Sequence, residues 1–223
     1  MYSVVEENYL KALLSLANTE DEVSINELSK RLKIKMPTVN SMMKRFVEKD
    51  LITYESYKPV KLTALGKREA AMVVRKHRLT EMFLVEKMDF NWEEVHEIAE
   101  QIEHIKSPLF FEKMDALLGY PKFDPHGSPI PDKNGAVIEP AYVPLSQCCP
   151  AEELTLKAVS DSSEGFLRFL NGRSILLGDQ IRVVAKEPFD GSMQVEIKGK
   201  SKETFSQLIC DKLLVEKINI KTN

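Results

Sequence analysis

The chain contains four histidines, His77, His96, His104 and His126, and each lies near a carboxylate at a spacing that suits shared ligation. His77 and Glu81 stand four residues apart, one above the other if the segment is helical. The run from His96 to His104 is denser. At about 100° per residue, Glu100 falls about 40° to one side of His96, Glu103 about 20° to the other and His104 about 80° round, so four ligand-type side chains share an arc of about 100°. Burying such an arc uncompensated is very costly. A divalent cation resolves the cost, and mixed imidazole and carboxylate ligation suits Mn²⁺, Fe²⁺, Co²⁺ or Zn²⁺. The simpler alternative is a solvated polar face with i,i+4 contacts. That reading serves one His–Glu pair well and six such residues together poorly.

Helical elements must position these residues. Tyr9, Leu10, Leu13 and Leu14 recur at helical spacing and predict a helix over 4–18. Ser24 to Glu27 reads as a capping box opening a short helix to 32. Lys33 to Lys35 forms a turn, and Pro37 suits the first turn of a helix running to 49. Strands are expected at 51–54 and 60–63, around a turn at 55–59, and a longer helix over 64–87. A second capping signature, Asn91 to Glu94, opens a helix over 92–106, and Ser107-Pro108 restarts one that Gly119 and Pro121 end. Residues 121–150 hold seven of the eleven prolines and read as a linker or irregular arm. From 153 the pattern changes to strands at 154–159, 180–185, 193–197 and 214–220, which suggests a small β-barrel.

Helix, short helix, turn, helix and hairpin is the order of a winged helix-turn-helix. In that arrangement the helix beginning Met36-Pro37-Thr38-Val39-Asn40-Ser41 enters the major groove, with Pro37, Thr38, Asn40 and Ser41 at the end that meets the bases. Lys35, Lys44, Arg45, Lys58 and Lys61 are placed to meet phosphates. Charge agrees with two jobs. Residues 1–78 carry net +5 and residues 79–153 net −10, in a chain of 223 residues whose net charge is −3. The basic block suits an anionic partner and the acidic block suits cations.

Composition excludes other classes. With 43% hydrophobic and 29% charged residues the chain is not disordered. No apolar run approaches the ~20 residues needed to cross a bilayer, and the first residues do not read as a secretory signal. Three cysteines, Cys148, Cys149 and Cys210, make a disulfide framework improbable and favour a reducing, cytoplasmic setting. No phosphate-binding loop or nucleophile elbow is present. His96-Glu97 is followed by Glu100 where a zinc-hydrolase motif needs a second histidine, and Glu93–His96 has no matching pair for a di-iron bundle. A metalloenzyme is therefore disfavoured. A winged-helix regulator sensing a small ligand or redox state, through Cys148-Cys149, is the other alternative.

The sequence resembles the diphtheria-toxin-repressor family of metal-dependent transcriptional regulators over essentially its whole length. The resemblance rests on Glu7-Asn8-Tyr9-Leu10, Pro37-Thr38-Val39-Asn40, Leu62 to Gly66, Arg75 to Glu81, His96 to His104, Pro125-His126-Gly127 and Ile130-Pro131, in this order. It implies a mainly α protein with a small β domain. The parts would be a winged helix at 1–64, a helical dimerisation and metal domain at 65–123, a Pro-rich linker at 124–152 and an SH3-like domain at 153–223. It also implies a homodimeric repressor of metal-uptake genes that binds double-stranded operator DNA when loaded with metal, without a membrane or small organic substrate. One metal site would use Asn8, Glu100, Glu103 and His104. A second would use His77, Glu81 and His96, joined by Asp124 and His126, with Asp161 and Glu164 as further candidates. Glu100 matches the manganese type, where the iron type has Cys. Asn8 replaces the Asp usual in the manganese type, and Lys11 stands where short members carry Glu. By ligand hardness Mn²⁺ is favoured and Fe²⁺ is next, with Zn²⁺, Co²⁺ or Cd²⁺ able to substitute in vitro.

Overall fold

The computed structural model describes residues 2–55, 58–138, 140–200 and 202–218. The chain divides into two compact units, one drawn from 1–80, 99–122 and 130–138, the other from 81–98, 123–129 and 139–223. Among the described residues no helix is long and apolar enough to cross a membrane.

The first unit opens with α1 (Val4–Leu16), capped reciprocally by Ser3 and Glu6. A short strand β1 (Glu22–Val23) leads to α2 (Ile25–Leu32) and α3 (Met36–Glu48). Ser24 is the N-cap of α2 by backbone conformation, but its side chain makes no capping bond. The expected box does not close there, because Asn26 and Glu27 are exposed and water can meet the first-turn amides. Lys33, at φ +55°, turns the chain between α2 and α3, and Pro37 sits in the first turn of α3. Strands β2 (Ile52–Thr53) and β3 (Val60–Leu62) complete a three-stranded antiparallel sheet in the order β1-β3-β2. Ser56 and Tyr57 of the expected hairpin turn lie outside the described residues.

Tyr9, Leu10 and Leu13 of α1, Leu28 of α2, and Val39, Met43 and Phe46 of α3 pack into one core. The Tyr9 ring meets Phe46 edge-on at 6.2 Å. The long helix α4 (Ala64–Met88) begins against this core. A Cβ at Gly66 would lie 1.9 Å from the Leu51 carbonyl oxygen, so only glycine permits that approach.

The next helix, α5 (Val95–Ile102), is shorter than the spacing predicts at both ends. Asn91 to Glu94 forms a turn in which the Asn91 amide donates to Glu94 Oε2 at 2.9 Å. At the other end Glu103 and His104 lie in the turn that follows the helix. Ser107 precedes Pro108 and is extended, which breaks the helical run before α6 (Pro108–Leu117) begins. α6 buries Phe111 and Met114 and leaves Leu109, Phe110 and Leu117 exposed.

In the second unit, six strands form one antiparallel sheet in the order β4-β9-β5-β6-β7-β8. They are β4 (Val143–Pro144), β5 (Glu153–Val159), β6 (Gln180–Lys186), β7 (Met193–Ile197), β8 (Lys202–Phe205) and β9 (Leu213–Lys217). Met193, Val195 and Ile197 alternate inward with outward Gln194 and Glu196, the period-2 signature of a half-buried strand. Two elements escape that signature. β8 is Lys-Glu-Thr-Phe and buries only Phe205, while α7 (Glu164–Asn171) puts Phe166, Leu167 and Leu170 on the core. A short α8 (Gln207–Cys210) precedes β9. Of the strand expected at 214–220, residues 219 and 220 lie outside the described residues. The Pro-rich stretch is largely irregular, yet Asp124, His126 and Leu145 within it are buried.

Candidate metal centres and the nucleic-acid face

In the first unit, the first turn of α1 presents Glu6, Glu7 and Asn8 in succession. Glu7 is buried. Its Oε2 accepts from His104 Nδ1 at 2.7 Å, while Lys106 and Lys76 reach Oε1 at 2.8 and 3.1 Å. Burial pushes the Glu7 carboxyl up, but Lys106, His104 and Lys76 together hold it below its ordinary value. A proton on His104 Nδ1, given to Glu7, leaves Nε2 as the lone-pair nitrogen, and Nε2 faces Glu103 Oε1 at 3.6 Å.

Glu103 is fully buried. His77 Nδ1 lies 2.6 Å from its Oε2, and the Lys11 ammonium lies 2.8 and 3.0 Å from its two oxygens. Lys11 Nζ also lies 2.5 Å from Glu100 Oε1. Ligand atoms of His77, Glu100 and Glu103 all fall within 4.8 Å of one another. Asn8 Oδ1 is buried and has no hydrogen-bond partner among the described residues. A buried amide oxygen without a donor is costly, and a cation is the natural compensation. The donors gathered by His77, Glu100 and Glu103, an imidazole nitrogen and carboxylate oxygens, are those of a hard to borderline divalent ion.

The second unit holds another cluster. Glu81, Asp124 and His126 are all buried, with ligand atoms within 4.8 Å of one another. His96 Nδ1 lies 3.3 Å from Glu81 Oε1, and His126 Nδ1 lies 3.7 Å from Glu81 Oε2. His126 Nε2 donates to the Trp92 carbonyl at 2.9 Å, and its ring stacks on the Trp92 ring at 5.9 Å. Nδ1 is therefore the nitrogen that faces the carboxylates. Burial lowers the His126 pKa, but Glu81, Asp124 and the Trp92 carbonyl outweigh it and the net shift is upward. Asp124 Oδ1 accepts from the amides of His126 and Ser128 at 2.8 and 2.9 Å, fixing the turn. Gly127 in that turn has φ +84°, and a Cβ there would lie 2.2 Å from the Lys157 carbonyl oxygen.

Other anticipated residues lie elsewhere. Asp161 Oδ2 is held by the Lys212 ammonium, and its Oδ1 accepts from the Ser163 amide at 2.8 Å. Glu164 pairs with Arg168 at 2.6 Å on an exposed turn of α7. Cys148 and Cys210 are buried, and burial pushes the Cys210 thiol up to about 11. Buried thiols of this kind are poor nucleophiles, whereas Cys149, which stands beside Cys148 in the redox alternative, is exposed.

Lys35 at the N-cap of α3, and Pro37, Thr38, Ser41 and Lys44 on it, are exposed. Asn40 is half-buried and its Oδ1 receives the Tyr54 hydroxyl at 3.4 Å. Lys61 is exposed on β3, and Lys58 pairs with Glu55 at 2.6 Å. Arg45 leans back to Glu6 at 3.2 Å, where it joins Lys49. Sequence reasoning missed Glu7 and Lys11 as members of the first cluster. Glu7 had one available signal, a carboxylate beside Asn8. Lys11 had two, its place one turn after Asn8 and its standing where short members of the resembled family carry Glu.

Three family models match the chain. They are the iron-dependent-repressor N-terminal DNA-binding domain over residues 1–60, the iron-dependent-repressor metal-binding and dimerisation domain over 63–132, and the FeoA domain over 143–217. Among solved structures, a manganese-dependent transcriptional repressor in complex with manganese is 31% identical, with a TM-score of 0.87, covering 96% of this chain and 100% of that one. The repressor ScaR with bound Zn²⁺ is 32% identical, with a TM-score of 0.80, covering 96% of this chain and 99% of that one. The iron-dependent repressor IdeR of Mycobacterium leprae is 32% identical over 125 residues, 56% of this chain and 54% of IdeR. The chain thus spans about half the length of that curated relative.

Proposed function

This chain belongs to the iron-dependent repressor family, and from that premise we propose that it is a homodimeric transcriptional repressor whose operator binding requires a divalent metal ion, Mn²⁺ first and Fe²⁺ next. The observation that carries the reading is the buried Asn8 oxygen without a donor, on the same α1 turn as the Glu7 that holds His104. Asn8, Glu100, Glu103 and His104 would hold one ion. Glu81, His96, Asp124 and His126 would hold a second. When bound, a divalent ion would supply the positive charge that compensates these carboxylate, amide and imidazole donors.

The residues do the rest. Glu7 orients His104 so that its Nε2 faces Glu103. Thr38, Asn40 and Ser41 read base edges from the N-terminal end of α3, while Lys35, Lys44, Arg45, Lys58 and Lys61 meet phosphates. The exposed Leu109, Phe110 and Leu117 of α6 supply apolar surface for a second copy. Two reading helices in a dimer must stand about 34 Å apart, or a multiple of that, to meet successive turns of the groove. A tie between α1 and α5 favours one such arrangement, so metal and DNA affinities are coupled, by about 1–3 kcal/mol in typical cases.

The test selects double-stranded DNA on the full chain in the presence of Mn²⁺ and measures retention of the winning sequence. Retention should be lost in excess chelator and restored by Mn²⁺, and Glu103→Ala should abolish the stimulation while Asp161→Ala reduces it less. Retention that is indifferent to complete metal removal refutes the reading.

A further inference from the structure

The Lys11 ammonium lies where a cation would bind. It contacts three carboxylate oxygens, one of Glu100 at 2.5 Å and both of Glu103 at 2.8 and 3.0 Å. Glu103 is fully buried, so its charge cannot be left to solvent. His77 shares the same carboxylate, with its Nδ1 2.6 Å from Oε2. Lys11 follows Asn8 by three residues on α1, so both side chains project from one face of that helix. That face thus carries a neutral amide oxygen on Asn8 and, on Lys11, a tethered unit charge that meets Glu100 and Glu103.

We propose that Lys11 is an internal counter-ion of the Glu100–Glu103 pair, displaced when a divalent ion takes those oxygens, and that it thereby sets the metal concentration at which the site fills. This rests on the reading of Glu100 and Glu103 as metal ligands given above. A lysine ammonium and a divalent cation require the same lone pairs, and each carboxylate oxygen facing Lys11 must turn to the ion or be shared with it. The metal-free protein is then not a site of bare carboxylates. It is held together by a weaker cation that arrives on the chain itself. Removing that cation leaves two carboxylates facing each other with less compensation. The metal-free state rises in free energy, and the gain on binding a divalent ion grows by the same amount. The two effects have opposite signs, which a merely structural lysine would not produce.

The experiment uses the full chain, stripped of metal, as wild type, Lys11→Met and Lys11→Gln. Free Mn²⁺ is followed by its electron paramagnetic resonance signal, and metal-free stability by thermal melting. Both variants should melt lower without metal and bind Mn²⁺ at least about tenfold more tightly, a change of about 1.4 kcal/mol. In the wild type, acetylation of Lys11, read by mass spectrometry against the other lysines, should rise on Mn²⁺ loading. Unchanged or weaker Mn²⁺ affinity in the variants overturns the inference, as does Lys11 labelling that ignores Mn²⁺. A wild type that takes up no Mn²⁺ overturns this inference together with the reading on which it rests, whereas equal uptake by wild type and variants overturns this inference alone.

Discussion

Glu6 and Glu7 are neighbours in sequence with different tasks. Glu7 faces the His104 side, whereas Glu6 accepts from Lys49 and Arg45 at the C-terminal end of α3. The Lys49 ammonium, with the Ser3 amide, holds the Glu6 carboxyl down to about 2. A carboxyl lowered on folding adds stability above its unfolded value, and that stability is lost as pH falls through the folded value. Glu6→Gln should therefore cost about 1–2 kcal/mol at neutral pH, since Lys49 and Arg45 are partly screened by water. The difference between the two proteins should shrink as pH falls from about 4.5 towards about 2. Chemical denaturation across that range checks it, and a pH-independent difference would point to packing instead. His77 shows what residue spacing conveys. Its four-residue interval to Glu81 is plain in the sequence, but its Nδ1 is 2.6 Å from Glu103, twenty-six positions away. Helical periodicity cannot reach that far.

At the level of elements, the turn around Gly127 is the most constrained backbone at the second cluster. The Val159 amide on β5 donates to the His126 carbonyl at 2.9 Å, and Asp124 closes the turn from within. Gly127→Ala places a Cβ against the Lys157 carbonyl at a positive φ and should cost about 2–4 kcal/mol. The same change should weaken uptake of a second equivalent of Mn²⁺ while sparing the first. Thermal melting and equilibrium dialysis measure both, and an unaltered second equivalent would separate the turn from metal binding. The element types of the first unit were readable because Tyr9–Leu14 and Val39–Val47 keep a helical period and Pro37 marks a helix start. β8 was not readable. Lys202-Glu203-Thr204-Phe205 carries one apolar residue, and its strand form comes from pairing with β7. α7 was missed for a related reason, since its Phe166, Leu167 and Leu170 stripe spans only two turns.

For the whole molecule, assembly and DNA binding should stand or fall together. Leu109 and Leu117 are each about 60% exposed, unusual for leucines without an apolar partner surface. Leu109→Glu with Leu117→Glu should leave the melting temperature of the monomer within a few degrees and shift sedimentation from dimer to monomer. It should also remove Mn²⁺-stimulated retention of the selected DNA, because one half-site contact alone is weak. A dimer that survives both substitutions would place the interface elsewhere. For wild type, affinity should fall steeply with salt, in proportion to the phosphates met by α3 and the wing.

Residue types and short-range periods determined the helical and strand elements, the helix proposed to read DNA and the pool of imidazoles and carboxylates, because these depend on intervals of two to four residues. The tertiary structure alone decided which of those groups meet. It placed His77 on Glu103, Glu7 on His104, Asp124 and His126 on Glu81, and Lys11 between two carboxylates. Such pairings join positions up to 97 residues apart. They follow from how the helices and turns of each unit pack around a core, and no local spacing along the chain encodes that packing.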